Sequence, residues 1–198
     1  DTEQTRQAIL DSALQTFYEK GFSRTTFDEI AKRINLTKGA VYWHFRNKTD
    51  LISALIKRKI SEQDRNYPET MPECLSDLRN AFVKRAVSIE KDADFRRFLF
   101  FMIYRMEWSV AIFERVWAEI GELCELPDKR LYDALIRIQK NGEIKPDVDI
   151  AVLQEVLICL WKGITDSYIS GRKTNMNLSA MIASGFDSVI NGIRTEKK

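Results

Sequence analysis

The sequence predicts an all-α protein, and three observations carry that prediction. Gly (8) and Pro (4) are scarce in 198 residues, about half the average fraction, so turns are few and elements long. Apolar residues recur at i, i+3, i+4 spacings that give one buried helical face. Helix-capping residues and stop glycines bracket those stretches. About nine helices result: three short ones forming an N-terminal helix-turn-helix domain over residues 1–47, a connecting helix over 48–66, and a C-terminal helical domain over 67–198. The stretch Tyr67–Pro72, YPETMP, marks the boundary.

The first helix runs from about Thr5 to Lys20, with Ile9, Ala13, Leu14 and Phe17 on one face and Gly21 as its stop. Thr26 and Glu29 form a capping box that starts a second, short helix, Phe27 to Ile34. Asn35-Leu36 makes a tight connection, Thr37 caps a third helix ending at His44 or Phe45, and Asn47 caps a fourth reaching about Arg65. Two short helices joined by about three residues are the helix-turn-helix pattern. After Pro72, helices are expected at about 73–91, 93–107, 110–124, 128–141, 149–170 and 177–195. Each proline, Pro127 included, reads as punctuation between helices, and Gly142 and Gly171 as stops.

The third helix carries chemistry suited to a duplex. Lys38, Tyr42 and His44 supply donors for phosphates and base edges. Gly39 and Ala40 are small enough to let the backbone approach a groove floor. Lys48 opens the fourth helix, whose free N–H groups favour a phosphate. The net charge of +2 does not announce a nucleic-acid binder. Split at the boundary, however, residues 1–66 hold 12 Lys/Arg against 9 Asp/Glu, and the remainder 19 against 20. The cationic excess sits on the reading module. Val41, Phe45 and Leu51 read as core, and Lys57-Arg58-Lys59 as an exposed helix face.

The stretch Thr37-Lys-Gly-Ala-Val-Tyr-Trp-His-Phe-Arg-Asn-Lys48, with Gly21-Phe22, Thr25-Thr26, Ile30-Ala31 and Leu51, resembles the TetR family of bacterial transcriptional regulators, and most of all its multidrug-efflux repressor branch. The resemblance spans the first module; beyond residue 66 it is one of layout and length. It implies that Thr25, Thr26, Tyr42, His44 and Lys48 hold phosphates, while Lys38, Gly39, Ala40 and Trp43 meet bases in the major groove. It also implies a ligand-responsive repressor, acting as a homodimer on a palindromic operator in double-stranded DNA.

The C-terminal helices have two notable features. Val156–Trp161 is apolar on every face, and Ile182, Phe186, Val189, Ile190 and Ile193 form an apolar stripe beside a small-residue ridge of Ala180, Ser184, Ser188 and Gly192. A symmetric dimer through a four-helix bundle covers both surfaces, so Val156, Leu160, Ile182, Phe186, Ser188, Val189, Gly192 and Ile193 are expected at a dimer interface. Large aromatics crowd the middle helices. Most serve as core, and a minority is expected to line a cavity for a small hydrophobic or amphipathic effector: Phe101, Tyr104, Trp108, Trp117, Tyr132, Trp161 and Tyr168. Glu107, at the end of that run, favours a cationic ligand if it faces the cavity and is otherwise exposed.

Other classes find less support. No GxSxG, Walker A or HExxH motif occurs, and the single histidine, His44, leaves no His cluster for a metal, so neither an enzyme nor a cofactor is expected. The three cysteines are far apart, with no CxxC, as in a reducing cytoplasm. Apolar runs reach about seven residues, against roughly 20 for a membrane span, and the polar N-terminus predicts no signal peptide. Two alternatives stay open: a DNA-binding protein whose core is filled, and a regulator controlled by a partner protein or a thiol.

Overall fold

The computed structural model describes residues 2–64, 71–171 and 177–195; residues 67–70 of the boundary stretch lie outside them. The described helices are α1 (Thr2–Lys20), α2 (Phe27–Arg33), α3 (Lys38–His44), α4 (Lys48–Asp64), α5 (Leu75–Lys91), α6 (Ala93–Phe100), α7 (Val110–Lys140), α8 (Ile150–Ile169) and α9 (Leu178–Ile193). After α6 the chain continues through a π-helical turn, Phe101–Arg105. Ile144 and Arg194 form an isolated antiparallel bridge. The all-α expectation holds.

The chain forms two compact units, Asp1–Gln63 with Asp94–Leu123, and Asp64–Ala93 with Cys124–Lys198. In the first, Ile9, Leu10, Ala13 and Phe17 of α1 are fully buried together with Ile30, Ala31, Val41, Leu51, Ile52 and Leu55. Each large apolar side chain removed from water contributes about 1.5–3 kcal/mol. Phe17 also stacks on Phe101, ring centroids 5.0 Å apart, so the π-turn packs into the core under the N-terminal helices. Gly21 ends α1 at φ 84°, a left-handed conformation that costs a residue with a Cβ 1–2 kcal/mol.

In the second unit, Leu75 and Leu78 of α5, Leu135 and Ile138 of α7, Leu153 and Leu157 of α8, and Phe186 and Ile190 of α9 share one core. Arg79 grips Asp187 through two hydrogen bonds of 2.5 and 2.8 Å. Glu90 accepts from the Ser179 backbone N–H at 2.8 Å, at the start of α9.

Three expectations need correction. The helices expected at 110–124 and 128–141 are one, α7, with Pro127 inside it. An interior proline costs about 3 kcal/mol and removes the N–H that the carbonyl four residues back would accept. Buried side chains on both flanks, Val116 and Ile120 before it and Ala134, Leu135 and Ile138 after it, outweigh that local cost. The carbonyl deprived of its donor belongs to Leu123, the last residue of the first unit. The helix expected over 93–107 ends in the π-turn, closed by Met106 N–H donating to Phe101 at 2.8 Å. The supposedly exposed Lys57-Arg58-Lys59 face is largely absorbed: Lys59 is buried and paired with Glu62 at 2.8 Å, and Arg58 reaches Gln7 and Asp11 of α1. The long Lys and Arg stems pack along apolar surface while their heads find acceptors.

Candidate nucleic-acid interface

Helices α2 and α3 are set by local hydrogen bonds. The Thr26 hydroxyl accepts from Glu29 N–H at 3.3 Å, and the Glu29 carboxylate accepts from Thr26 N–H at 3.0 Å. The Glu29 carboxyl is held below its ordinary pKa by Lys20, with Thr26 assisting. The turn passes through Asn35 at φ 54°, a conformation Asn tolerates better than most residues, and Leu36 N–H donates back to Ala31 at 2.9 Å. Thr37 then caps α3 by accepting from Ala40 N–H at 3.2 Å.

Helix α3 buries Val41, and Phe45 follows it into the core. The opposite face is open. Lys38 and Gly39 are exposed, as are Tyr42 at 51% and Trp43 at 69%; Ala40 and His44 are half-buried. Trp43 therefore does not pack against α1, the competing place for a large aromatic here. Lys38 Nζ lies 5.6 Å from the Tyr42 ring centroid, and that ring leans on Phe27 at 4.8 Å. The strip is cationic and aromatic at once, with donors on a rigid, seven-residue helix.

The remaining candidates lie in the α1–α2 loop and at the start of α4. Thr26 is exposed, its hydroxyl shared with Glu29. Thr25 is buried, and its hydroxyl donates to the Gly21 carbonyl at 2.8 Å. Lys48 Nζ donates to the carbonyls of Phe22 and Ser23 at 2.7 and 2.9 Å and sits 4.8 Å over the Phe22 ring. Burial lowers its pKa, and Glu107 opposes that shift. An ammonium has three hydrogens, and these two carbonyls take two of them. Arg46, exposed just beyond α3, was not singled out by the sequence reading, although a cation flanking the reading helix is itself a signal. Glu107 does not face an aromatic cavity: its carboxylate accepts the hydroxyl of Ser23.

The aromatic effector candidates divide between the units. Phe101 is fully buried against Phe17, while Tyr104, Trp108 and Trp117 are partly open in the same unit. Phe113 bridges the two tryptophans, 5.9 Å from Trp108 and stacked 5.4 Å from Trp117. Tyr132, Trp161 and Tyr168 belong to the second unit, where Trp161 meets Phe82 edge-on at 5.7 Å and Arg85 at 5.3 Å. Of the interface candidates, Ile182 and Phe186 are buried in their own unit. Leu160, Val189 and Ile193 are half-buried, and Val156, Ser188 and Gly192 are exposed. Cys159 is exposed on α8; burial raises the thiol pKa of Cys124.

Residues 9–55 match the family model described as bacterial regulatory proteins, tetR family. The transcriptional regulator AcrR of Shigella flexneri is 41% identical over 87 residues, 42% of this chain and 40% of that protein, so the match spans less than half of that relative's length. Two solved structures share the fold over nearly the whole chain. NalD of Pseudomonas aeruginosa, the secondary repressor of a multidrug efflux pump, superposes with a TM-score of 0.82 at 20% identity, covering 100% of both chains. SmeT, a repressor from Stenotrophomonas maltophilia solved with triclosan, gives 0.79 at 24%, covering 98% of this chain and 93% of that one. Residues 9–55 therefore form a domain of the kind described for the tetR family of bacterial regulatory proteins, and the chain as a whole shares the fold of these solved structures.

Proposed function

We propose that this protein is a ligand-responsive transcriptional repressor that binds a palindromic operator as a homodimer. The observation that carries the reading is the open face of α3: Lys38, Tyr42 and Trp43 stand outward while Val41 and Phe45 anchor the helix from behind. Residues 1–47 then form the reader, 48–66 the connecting helix, and 67–198 the part that holds the effector and the second copy. Lys38, Gly39, Ala40 and Trp43 approach base edges. Tyr42, His44, Thr26 and Lys48 position the helix on phosphates, which set register rather than sequence. Thr25 supports that contact from inside the loop.

Dimerisation is supported by the apolar face that α8 leaves uncovered, with Val152 at 59% and Val156 at 44% exposure, and by the exposed small residues Ala180, Ser184, Ser188 and Gly192 on α9. A dimer on a palindromic operator places its two α3 helices in successive major grooves, about 34 Å apart. SmeT, solved with triclosan, supports an apolar effector bound among the aromatic side chains. Such a ligand shifts the population toward the form that does not bind DNA, by as much as its affinity for the two forms differs.

The test is selection of duplexes from fragmented bacterial DNA by purified protein, followed by mobility shift. The reading expects a two-fold symmetric sequence, released by amphipathic compounds drawn from a small library. Recovery of no preferred duplex overturns the repressor reading. Recovery of an operator that no compound releases leaves a DNA-binding regulator without a small effector.

A further inference from the structure

Beyond the reading helix, three segments far apart in sequence converge on one loop. Phe22 N–H donates to the Arg105 carbonyl at 3.1 Å, and the Ser23 hydroxyl donates to the Glu107 carboxylate. From the other side, Lys48 holds the carbonyls of Phe22 and Ser23. The packing is close: a Cβ on Gly21 would lie 3.4 Å from Glu107 Oε1 and 3.5 Å from the Arg105 carbonyl. Glu107 also favours the charged form of Lys48 against the desolvation that opposes it. Both Ser23 and Glu107 are exposed, so this bond contributes little to the hydrophobic core. A carboxylate beside a phosphate-binding lysine would by itself repel DNA, which makes its placement here informative.

We propose that Glu107 is a positioning residue for DNA binding: it fixes the Gly21–Ser23 loop through Ser23, the same loop whose Phe22 and Ser23 carbonyls Lys48 holds from the other side. The inference rests on the DNA-binding reading of α3 and adds to it a residue about 60 positions downstream. Its effect is preorganisation. A loop and a lysine already ordered in the free protein lose less conformational freedom on binding, a saving of about 0.5–1.5 kcal/mol per immobilised long side chain, or roughly twofold to twelvefold in affinity. The segment that supplies this restraint follows the π-turn closed by Met106, so the order of the reading loop depends on how that turn packs.

The experiment uses the full chain and a fluorescein-labelled duplex recovered by the wild-type protein from a random library. Glu107→Ala and Ser23→Ala, each with unchanged melting, are expected to weaken binding about fivefold to tenfold. Glu107→Gln, whose amide oxygen still accepts from Ser23, is expected to stay within about twofold of wild type. Glu107→Ala added to Ser23→Ala is expected to cost no more than Ser23→Ala alone, because the two remove the same bond. Hydrogen exchange in the free protein gives a second reading, with the amides of Phe22–Thr25 exchanging faster in Glu107→Ala and in Ser23→Ala. Wild-type affinity in both alanine variants, additive losses in the double variant, or unchanged exchange overturns the proposal. If the wild-type protein recovers no preferred duplex, the DNA-binding reading fails with it, whereas the exchange result still decides whether the tether exists.

Discussion

Thr25→Val separates two roles for one side chain. Family resemblance places Thr25 on a phosphate, whereas the structure turns its hydroxyl inward, donating to Gly21 at 2.8 Å from a site 1% exposed. Valine matches threonine in shape and deletes the donor. The Gly21 carbonyl then loses that partner in a buried position, which costs about 1–3 kcal/mol. For a chain of this length, each kcal/mol lowers Tm by roughly 2–4 °C. An inward role therefore predicts a clear fall in thermal stability, and Thr25→Ser, which keeps the hydroxyl, should recover most of it. The second readout is operator affinity at fixed salt. A hydroxyl bonded directly to a phosphate would be lost from both half-sites of a two-fold symmetric site, at about 1.5–3 kcal/mol each for a bond to a charged group. Thr25→Val should instead leave the affinity within about tenfold of wild type. Unchanged melting together with a hundredfold or greater loss of affinity would refute the inward assignment and return Thr25 to the phosphate.

Trp43→Ala, at an open position, should leave melting within about 0.5 kcal/mol of wild type yet weaken operator binding at least tenfold; retained binding in a mobility shift would remove Trp43 from the reading face. Phe101→Ala deletes a fully buried ring stacked on Phe17 and should cost about 3–5 kcal/mol in chemical denaturation; a loss below 1 kcal/mol would place the ring in an adaptable cavity instead. The Arg79 hydrogen bonds hold the Asp187 carboxyl below its ordinary pKa, so the pair's stabilisation is present above the unfolded value near ~4 and is lost as pH falls through the folded one. Because both groups are partly exposed, it should amount to less than about 1 kcal/mol, and the stability gap between wild type and Asp187→Asn should close on acidification; a gap constant with pH contradicts the pairing. Ser188→Arg, on the exposed ridge of α9, should yield folded monomers in sedimentation velocity, and an undiminished dimer would move the interface elsewhere.

What the sequence made legible was governed by short-range chemistry. Thr26, Thr37 and Asn47 begin helices through side chains that accept from the backbone N–H three residues ahead, and Glu29 reaches three residues back to Thr26; such signals survive without knowledge of the fold. Gly21 declared the end of α1 for the same reason. Pro127 misled because its cost is local while the compensation is tertiary, from side chains up to 11 residues away that are buried on both flanks. The clasp on the α1–α2 loop was invisible because Ser23 and Glu107 are separated by 84 residues and nothing in their neighbourhoods marks them as partners. The aromatic candidates were chosen by type alone. Composition does not distinguish Phe101, which closes a core, from Trp108 and Trp117, which remain partly open.

The shortness of α3 ties recognition to the core. Seven residues form too few hydrogen bonds to offset helix nucleation; isolated helices below about 12 residues are marginal in water even with favourable sequences. Gly39 inside this helix weakens it by about a further 1 kcal/mol. The helix therefore exists because Val41 and Phe45 are seated beneath it, Thr37 caps it and Phe27 braces Tyr42 from behind. Those contacts fix the azimuth of Lys38, Tyr42 and Trp43, and a rotation of one residue would carry each side chain 100° around the helix axis, away from the groove. On the proposed reading, specificity is thus set in part by the buried Val41 and Phe45, and the reader is only as rigid as the packing of α1, α2 and the Phe101 turn.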